Sequence, residues 1–174
     1  FQNIDNLLGG SAADTFNINS NLSGSVTGAG GDDVFNVGGL ITVGSGINGG
    51  TGLDVINGPV QNSNWIVSGL NSGTINSITF SEIESLNGGI GNDSFNISNG
   101  VTANLSGGIS GGAGDDSLIA DYTANSTRTI NFDGGTGVDS INLTGSAAGL
   151  VNDYIFGPAS DDIVITSTSG TNSQ

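Results

Sequence analysis

GGAGDDSLI, residues 111–119, sets three glycines ahead of two adjacent aspartates and then turns to aliphatic residues. Glycine adopts the positive φ of a sharp corner without steric penalty, so the first half reads as a turn. The second half reads as the start of a strand whose apolar side chain enters a core. The carboxylates stand where turn meets strand.

The stretch recurs. GGTGLD stands at 49–54, GGIGND at 88–93 and GGTGVD at 134–139, with weaker copies GGSAAD at 9–14 and GAGGDD at 28–33. Successive starts differ by 19, 21, 39, 23 and 23 residues. The interval of 39 reads as two coils, one without the motif, and GPASDD at 157–162 reads as a vestige. Two residues before each glycine pair stands an apolar residue: Leu7, Val26, Ile47, Leu86, Ile109, Phe132. Two residues after each aspartate stands another: Phe16, Phe35, Ile56, Phe95, Leu118, Ile141. Asparagine follows at Asn17, Asn36, Asn57, Asn96 and Asn142, and then a second apolar residue at Ile18, Val37, Ile97 and Leu143. Apolar residues spaced by two describe half-buried strands. No segment carries a capped 3.6-residue pattern, so helix is not expected.

A longer period lies over the short one. FQNIDNLLGGSAADTFNI at 1–18 matches FSEIESLNGGIGNDSFNI at 80–97, and GGTGLDVIN at 49–57 matches GGTGVDSIN at 134–142. The chain therefore divides into internal repeat units of approximately 1–79 and 80–174 within a single solenoid. The coil lacking the motif contains NWIVSGLNSGTINSITF at 64–80, and its partner in the second unit is NDYIFGPASDDIVIT at 152–166. Coils of roughly 20 residues, each with short strands and a glycine corner, stack into a parallel β-solenoid. The expectation is an all-β rod of about eight coils, roughly 40 Å long at about 4.8 Å per coil.

Composition narrows the function. Sixteen acidic residues against one basic residue, Arg128, give a formal charge of −15. Nucleic acid and anionic membrane surfaces are poor partners for such a chain, and cations are favourable ones. Cysteine and histidine are absent, which removes disulfides, thiolate and imidazole metal sites, and Ser-His-Asp chemistry. Methionine is absent even at position 1, so the numbered chain is expected to begin inside a longer product or at a processing site. No apolar run is long enough to span a bilayer, so membrane insertion is not expected.

Stacking the coils stacks the aspartates. Two carboxylates about 4.8 Å apart repel by roughly 1 kcal/mol in water and about 3–4 kcal/mol at an effective dielectric of 20. Turn amides relieve part of this and bound cations relieve more; calcium, with six to eight oxygen ligands, suits carboxylates beside turn carbonyls. The four strong copies resemble the GGxGxDxUx nonapeptide of RTX (repeats-in-toxin, haemolysin-type) calcium-binding β-rolls. That resemblance implies calcium as the bound ion. It implies Asp54, Asp93, Asp116 and Asp139 as side-chain ligands, with Asp33 added and Asp14 the weakest match. RTX rolls carry the nonapeptide twice per coil. Here it occurs once, so the loops are expected along one edge only. The longer unit resembles repeat arrays of very large secreted bacterial surface proteins, including adhesin-like exoproteins.

Plainer roles compete at each position. The aspartates can cap turn amides without metal. Asp32 and Asp115 read as solvated, the asparagine series as an amide ladder, Trp65 as core or edge packing, and Phe16, Phe35 and Phe95 as one core stack. The expected function is a non-enzymatic structural segment of a secreted surface protein or extracellular filament: a shaft or stalk with an adhesive or matrix role. It is expected to be calcium-stabilised and joined end to end with further copies or with more of the same array. The alternative is a carbohydrate-binding or polysaccharide-acting β-helix module. An acidic polysaccharide needs cationic groups opposite it, and only Arg128 is available; a glycan groove needs exposed aromatic rings.

Overall fold

The computed structural model describes residues 5–124 and 128–145 and the backbone of one later strand. The strands are β1 (Leu7–Leu8), β2 (Thr15–Ile18), β3 (Ser25–Gly30), β4 (Val34–Val37), β5 (Gly46–Thr51), β6 (Val55–Asn57), β7 (Asn64–Gly69) and β8 (Ser72–Ile75). They continue as β9 (Ile78–Ser81), β10 (Ser85–Gly89), β11 (Ser94–Ile97), β12 (Ile109–Ala113), β13 (Ser117–Asp121), β14 (Phe132–Thr136), β15 (Ser140–Thr144) and β16 (Val164–Ser167). The described residues contain no helix.

Two sheets form the solenoid. One runs β1-β3-β5-β9-β8-β7-β11-β13-β15-β16 and the other β14-β12-β10-β6-β4-β2. All pairings are parallel except β7 with β8 and β8 with β9. The chain is thus an all-β parallel solenoid of about six turns, each contributing one strand to the six-stranded sheet. The expected count of about eight is too high, because the stretch without the motif is no coil. Residues 64–81 fold instead as an antiparallel three-strand meander inserted into the first sheet. The expected partner of that stretch, 152–166, lies outside the described residues except where β16 pairs with β15.

The meander changes the path of everything after it. Before it, the strand ahead of each glycine turn (β1, β3, β5) lies in the first sheet and the strand after the aspartate (β2, β4, β6) in the second. After it, the assignment is reversed: β10, β12 and β14 lie in the second sheet and β11, β13 and β15 in the first. The core columns record the exchange. In the second sheet Phe16, Phe35 and Ile56, which follow aspartates, are continued by Leu86, Ile109 and Phe132, which precede glycines.

The core is one cluster lined by both sheets, and the inward residues follow the two-residue alternation of the sequence. Phe16 stacks on Phe35 with centroids 5.1 Å apart and planes at 4°. Phe95 belongs elsewhere. It stacks on Trp65 at 5.6 Å and meets Phe132 of the opposite sheet edge-on at 6.1 Å. The single stack expected for Phe16, Phe35 and Phe95 is therefore two, separated by the exchange of sheets. Trp65 is fully buried, as core packing requires.

Candidate cation-binding edges

Each motif residue has a steric reason. At Gly28, Gly88, Gly111 and Gly134 an added Cβ would stand 2.0–2.3 Å from Oδ2 of the aspartate five positions on. At Gly28, Gly88 and Gly111 it would also stand 2.4–2.5 Å from a glycine carbonyl oxygen of the next coil. The second glycine turns the chain at positive φ: Gly50 at 101°, Gly89 at 115°, Gly112 at 105° and Gly135 at 95°. The missing side chain thus opens a small space into which the carboxylate folds back.

The carboxylates form ladders. Asp14 N–H donates to Oδ1 of Asp33, Asp33 N–H to Oδ1 of Asp54, and Asp54 N–H to Oε2 of Glu84, at 2.7, 2.7 and 2.8 Å. Separately, Ser63 N–H donates to Oδ1 of Asp93, Asp93 N–H to Asp116 and Asp116 N–H to Asp139, at 2.6, 2.7 and 2.8 Å. The first ladder lies where the chain leaves the first sheet for the second, and the second ladder where it returns. The motif turns therefore occupy opposite edges of the solenoid. This corrects the expectation of one edge: Asp33 and Asp54 are on one side, Asp93, Asp116 and Asp139 on the other. A meander that returns the chain to the sheet it came from shifts the path by half a turn, and the interval of 39 residues does not display that.

Outer bonds on each edge run in the opposite sense. Leu53 N–H donates to Asp32, Asn92 N–H to Asn62, Asp115 N–H to Asn92 and Val138 N–H to Asp115, at 2.9–3.0 Å. Asp32 and Asp115, read from sequence as solvated, are exposed yet engaged in binding neighbouring coils. The amide ladder on the second sheet is real for Asn17, Asn36 and Asn57, whose side chains bond in series at 2.9 and 2.7 Å. Asn96 and Asn142 are not in it, being registered in the first sheet on either side of Ile119.

The inner carboxylates are nearly inaccessible, Asp33 and Asp54 at 0% and Asp93 and Asp116 at 1% exposure. Their Oδ1 atoms hold amides. Their Oδ2 atoms are buried and accept no hydrogen bond from any described residue. Beside Asp33, Asp93 and Asp116 that atom borders the same space as a carbonyl oxygen. An acceptor set beside an acceptor without a donor is unfavourable unless something positive lies between them. The donor set, one carboxylate oxygen with main-chain carbonyls, has the hard-oxygen chemistry of a calcium ligand. No group of three or more acidic side chains placed to hold a metal ion occurs among the described residues, so a cation there would need carbonyls and water for its remaining ligands. Burial pushes the Asp93 carboxyl up to about 6, with the Asp116 charge adding and the Ser63 amide opposing. Asp54 and Asp116 are raised too, by burial first; the amide each accepts opposes this, and acidic neighbours add to it.

The other polar groups are structural. Arg128 donates to the carbonyls of Ser98 and Ala103 at 3.0 and 2.9 Å and to that of Asp121, and lies 5.2 Å over the Tyr122 ring. A recess of about 390 Å³ on the second sheet is bounded by Val55, Ser85, Asn87, Ser110, Ile130 and Asp133. The aromatic residue along it, Phe132, is mostly buried in the core.

These features define an all-β parallel solenoid whose coils are bridged at both edges by carboxylates. Comparison with family models, with curated proteins and with solved structures returns no match for this chain. No helix among the described residues is long and apolar enough to cross a membrane.

Proposed function

We propose that the chain is a non-enzymatic structural segment of a secreted bacterial surface protein or extracellular filament, stabilised by calcium along its two turn edges. One observation carries this reading: carboxylate ladders join coil to coil on each edge, and the buried Oδ2 atoms of Asp33, Asp93 and Asp116 lie beside a glycine carbonyl oxygen with no donor from any described residue. Asp33, Asp54, Asp93, Asp116 and Asp139 are the side chains that would hold the ions. Calcium would neutralise the column of charge and cross-link successive coils. The chain's own carboxylates already fix the turn through Oδ1, so the fold presents Oδ2 in place. Arg128, the one cation, is committed to backbone carbonyls, which supports a scaffold role for it. The surface location and the joining of such segments end to end follow from the resemblance of the longer unit to arrays in secreted surface proteins.

Differential scanning calorimetry in excess chelator and in millimolar calcium tests the ion. An ion that binds the folded chain a hundredfold above its Kd stabilises it by about 2.7 kcal/mol. A melting temperature that does not move rejects the calcium part. Electron microscopy at rising protein concentration tests assembly, with rods that lengthen as the expected result.

A further inference from the structure

Glu84 lies in no glycine motif. It follows Ser81-Glu82-Ile83, a turn without glycine, yet it occupies the place of the motif aspartate in the first ladder: its Oε2 accepts the Asp54 amide at 2.8 Å. Glu82 supplies the rest of the imitation. Its φ of 54° is positive, as are those of the motif glycines Gly50, Gly89, Gly112 and Gly135. A Cβ placed on Gly49 would stand 1.9 Å from the Glu82 carbonyl oxygen and 2.5 Å from Oδ2 of Asp54. Asp54 is fully buried and that Oδ2 accepts no hydrogen bond from any described residue. The other oxygen of Glu84, Oε1, is held by Asn71 Nδ2 at 2.7 Å. Asn71 in turn accepts the Ser106 amide at 2.8 Å and donates to its hydroxyl at 3.0 Å. Glu84 thus joins the first half of the solenoid, the meander and the second half.

We propose that the motif residue Asp54, with Glu84 and the main-chain carbonyl of Glu82 from outside the glycine-aspartate repeat, forms a divalent-cation site at the junction of the two halves. The site offers carboxylate and carbonyl oxygen without nitrogen or sulfur, which selects a hard cation such as calcium. It rests on the reading of the edges as calcium-binding and adds a residue that the repeat does not contain. An ion there fastens the point at which the chain exchanges sheets.

Calcium equivalents bound by the full chain, measured by isothermal titration calorimetry, decide it, with circular dichroism confirming the fold of each variant. Glu84→Gln keeps an oxygen for the Asp54 amide and removes the charge; Asp54→Asn keeps one for the Asp33 amide. Each is expected to lose one equivalent, the double variant to lose the same one, and Glu84→Asp to restore it. Should Glu84→Gln not fold, Asp54→Asn and Glu84→Asp read the same site. Asp116→Asn, on the opposite edge, is expected to lose a different equivalent. Unchanged stoichiometry and affinity in Glu84→Gln, with loss in Asp116→Asn, overturn the junction site whatever Asp54→Asn does, and leave the calcium edges standing. No calcium bound by the unsubstituted chain overturns both.

Discussion

At the residue scale, the glycines of the repeat are not equivalent. Gly111 has no room for a side chain, because a Cβ would lie 2.2 Å from Asp116 Oδ2 and 2.4 Å from the Gly134 carbonyl. Gly111→Ala must displace backbone as well as the carboxylate and is expected to lose about 1–3 kcal/mol, as overpacked cores do. At Gly10 the nearest atom to a Cβ is 3.9 Å away, so Gly10→Ala should stay within about 0.5 kcal/mol. Urea denaturation of the two variants measures the contrast; equal losses would refute the steric account. The carboxyls have their own signature. In chelator, the folded chain holds the Asp93 proton up to about pH 6, whereas an ordinary aspartate releases it near 3.8. Stabilisation from that proton is complete below the lower value and is lost as pH rises through the upper one. The melting temperature in chelator is therefore expected to fall between about pH 4 and 6. Calcium, which favours the carboxylate, should flatten that slope. The glycine-aspartate corner was legible in the sequence because spacing alone marks it. The facing of Oδ2 and carbonyl oxygen was not, since it depends on how one coil settles on the next.

At the scale of elements, the meander is the feature the periodicity concealed. A search for repeats treats residues 64–80 as a degraded coil, yet the signals of hairpins are present. Trp65, Val67, Gly73, Ile75, Ile78 and Phe80 alternate with polar or exposed residues, and the two breaks are the two-residue links Leu70-Asn71 and Asn76-Ser77. Asn71 and Asn76 take φ of 50° and 52°, which asparagine tolerates better than most residues. Asn71 also holds Glu84 and Ser106, so conformation and side chain can be separated. Asn71→Gly keeps the turn and loses the bonds; Asn71→Ala loses both and is expected to be the weaker by about 1 kcal/mol, the cost of left-handed backbone without glycine. Thermal melts that rank alanine above glycine would contradict this. Trp65 anchors the same insert in the core. Trp65→Ala is expected to cost about 3–5 kcal/mol, read by chemical denaturation.

At the scale of the molecule, the half-turn shift distributes the motif aspartates over two edges instead of one, with Asp14, Asp33 and Asp54 in one ladder and Asp93, Asp116 and Asp139 in the other. A single column would place Asp54 and Asp93 as consecutive members across the stretch without the motif. Instead Asp54 continues to Glu84, and the column of Asp93 begins at Ser63. The consequence is energetic. Residues that share a ladder couple, while residues without shared partners add within about 0.3–0.5 kcal/mol. Asp33→Asn and Asp54→Asn alter neighbours joined by the Asp33 amide, so their combined effect on stability should depart from the sum by more than that. Asp54→Asn and Asp93→Asn lie on opposite edges and should add. Double-mutant cycles from denaturant unfolding in chelator, where no ion links the coils, measure both pairs under one condition. Additivity of the second pair with coupling in the first is the outcome the exchange of sheets requires. Strong coupling between Asp54 and Asp93 would restore the single column that the sequence periods suggest and remove the basis for separate calcium-binding edges.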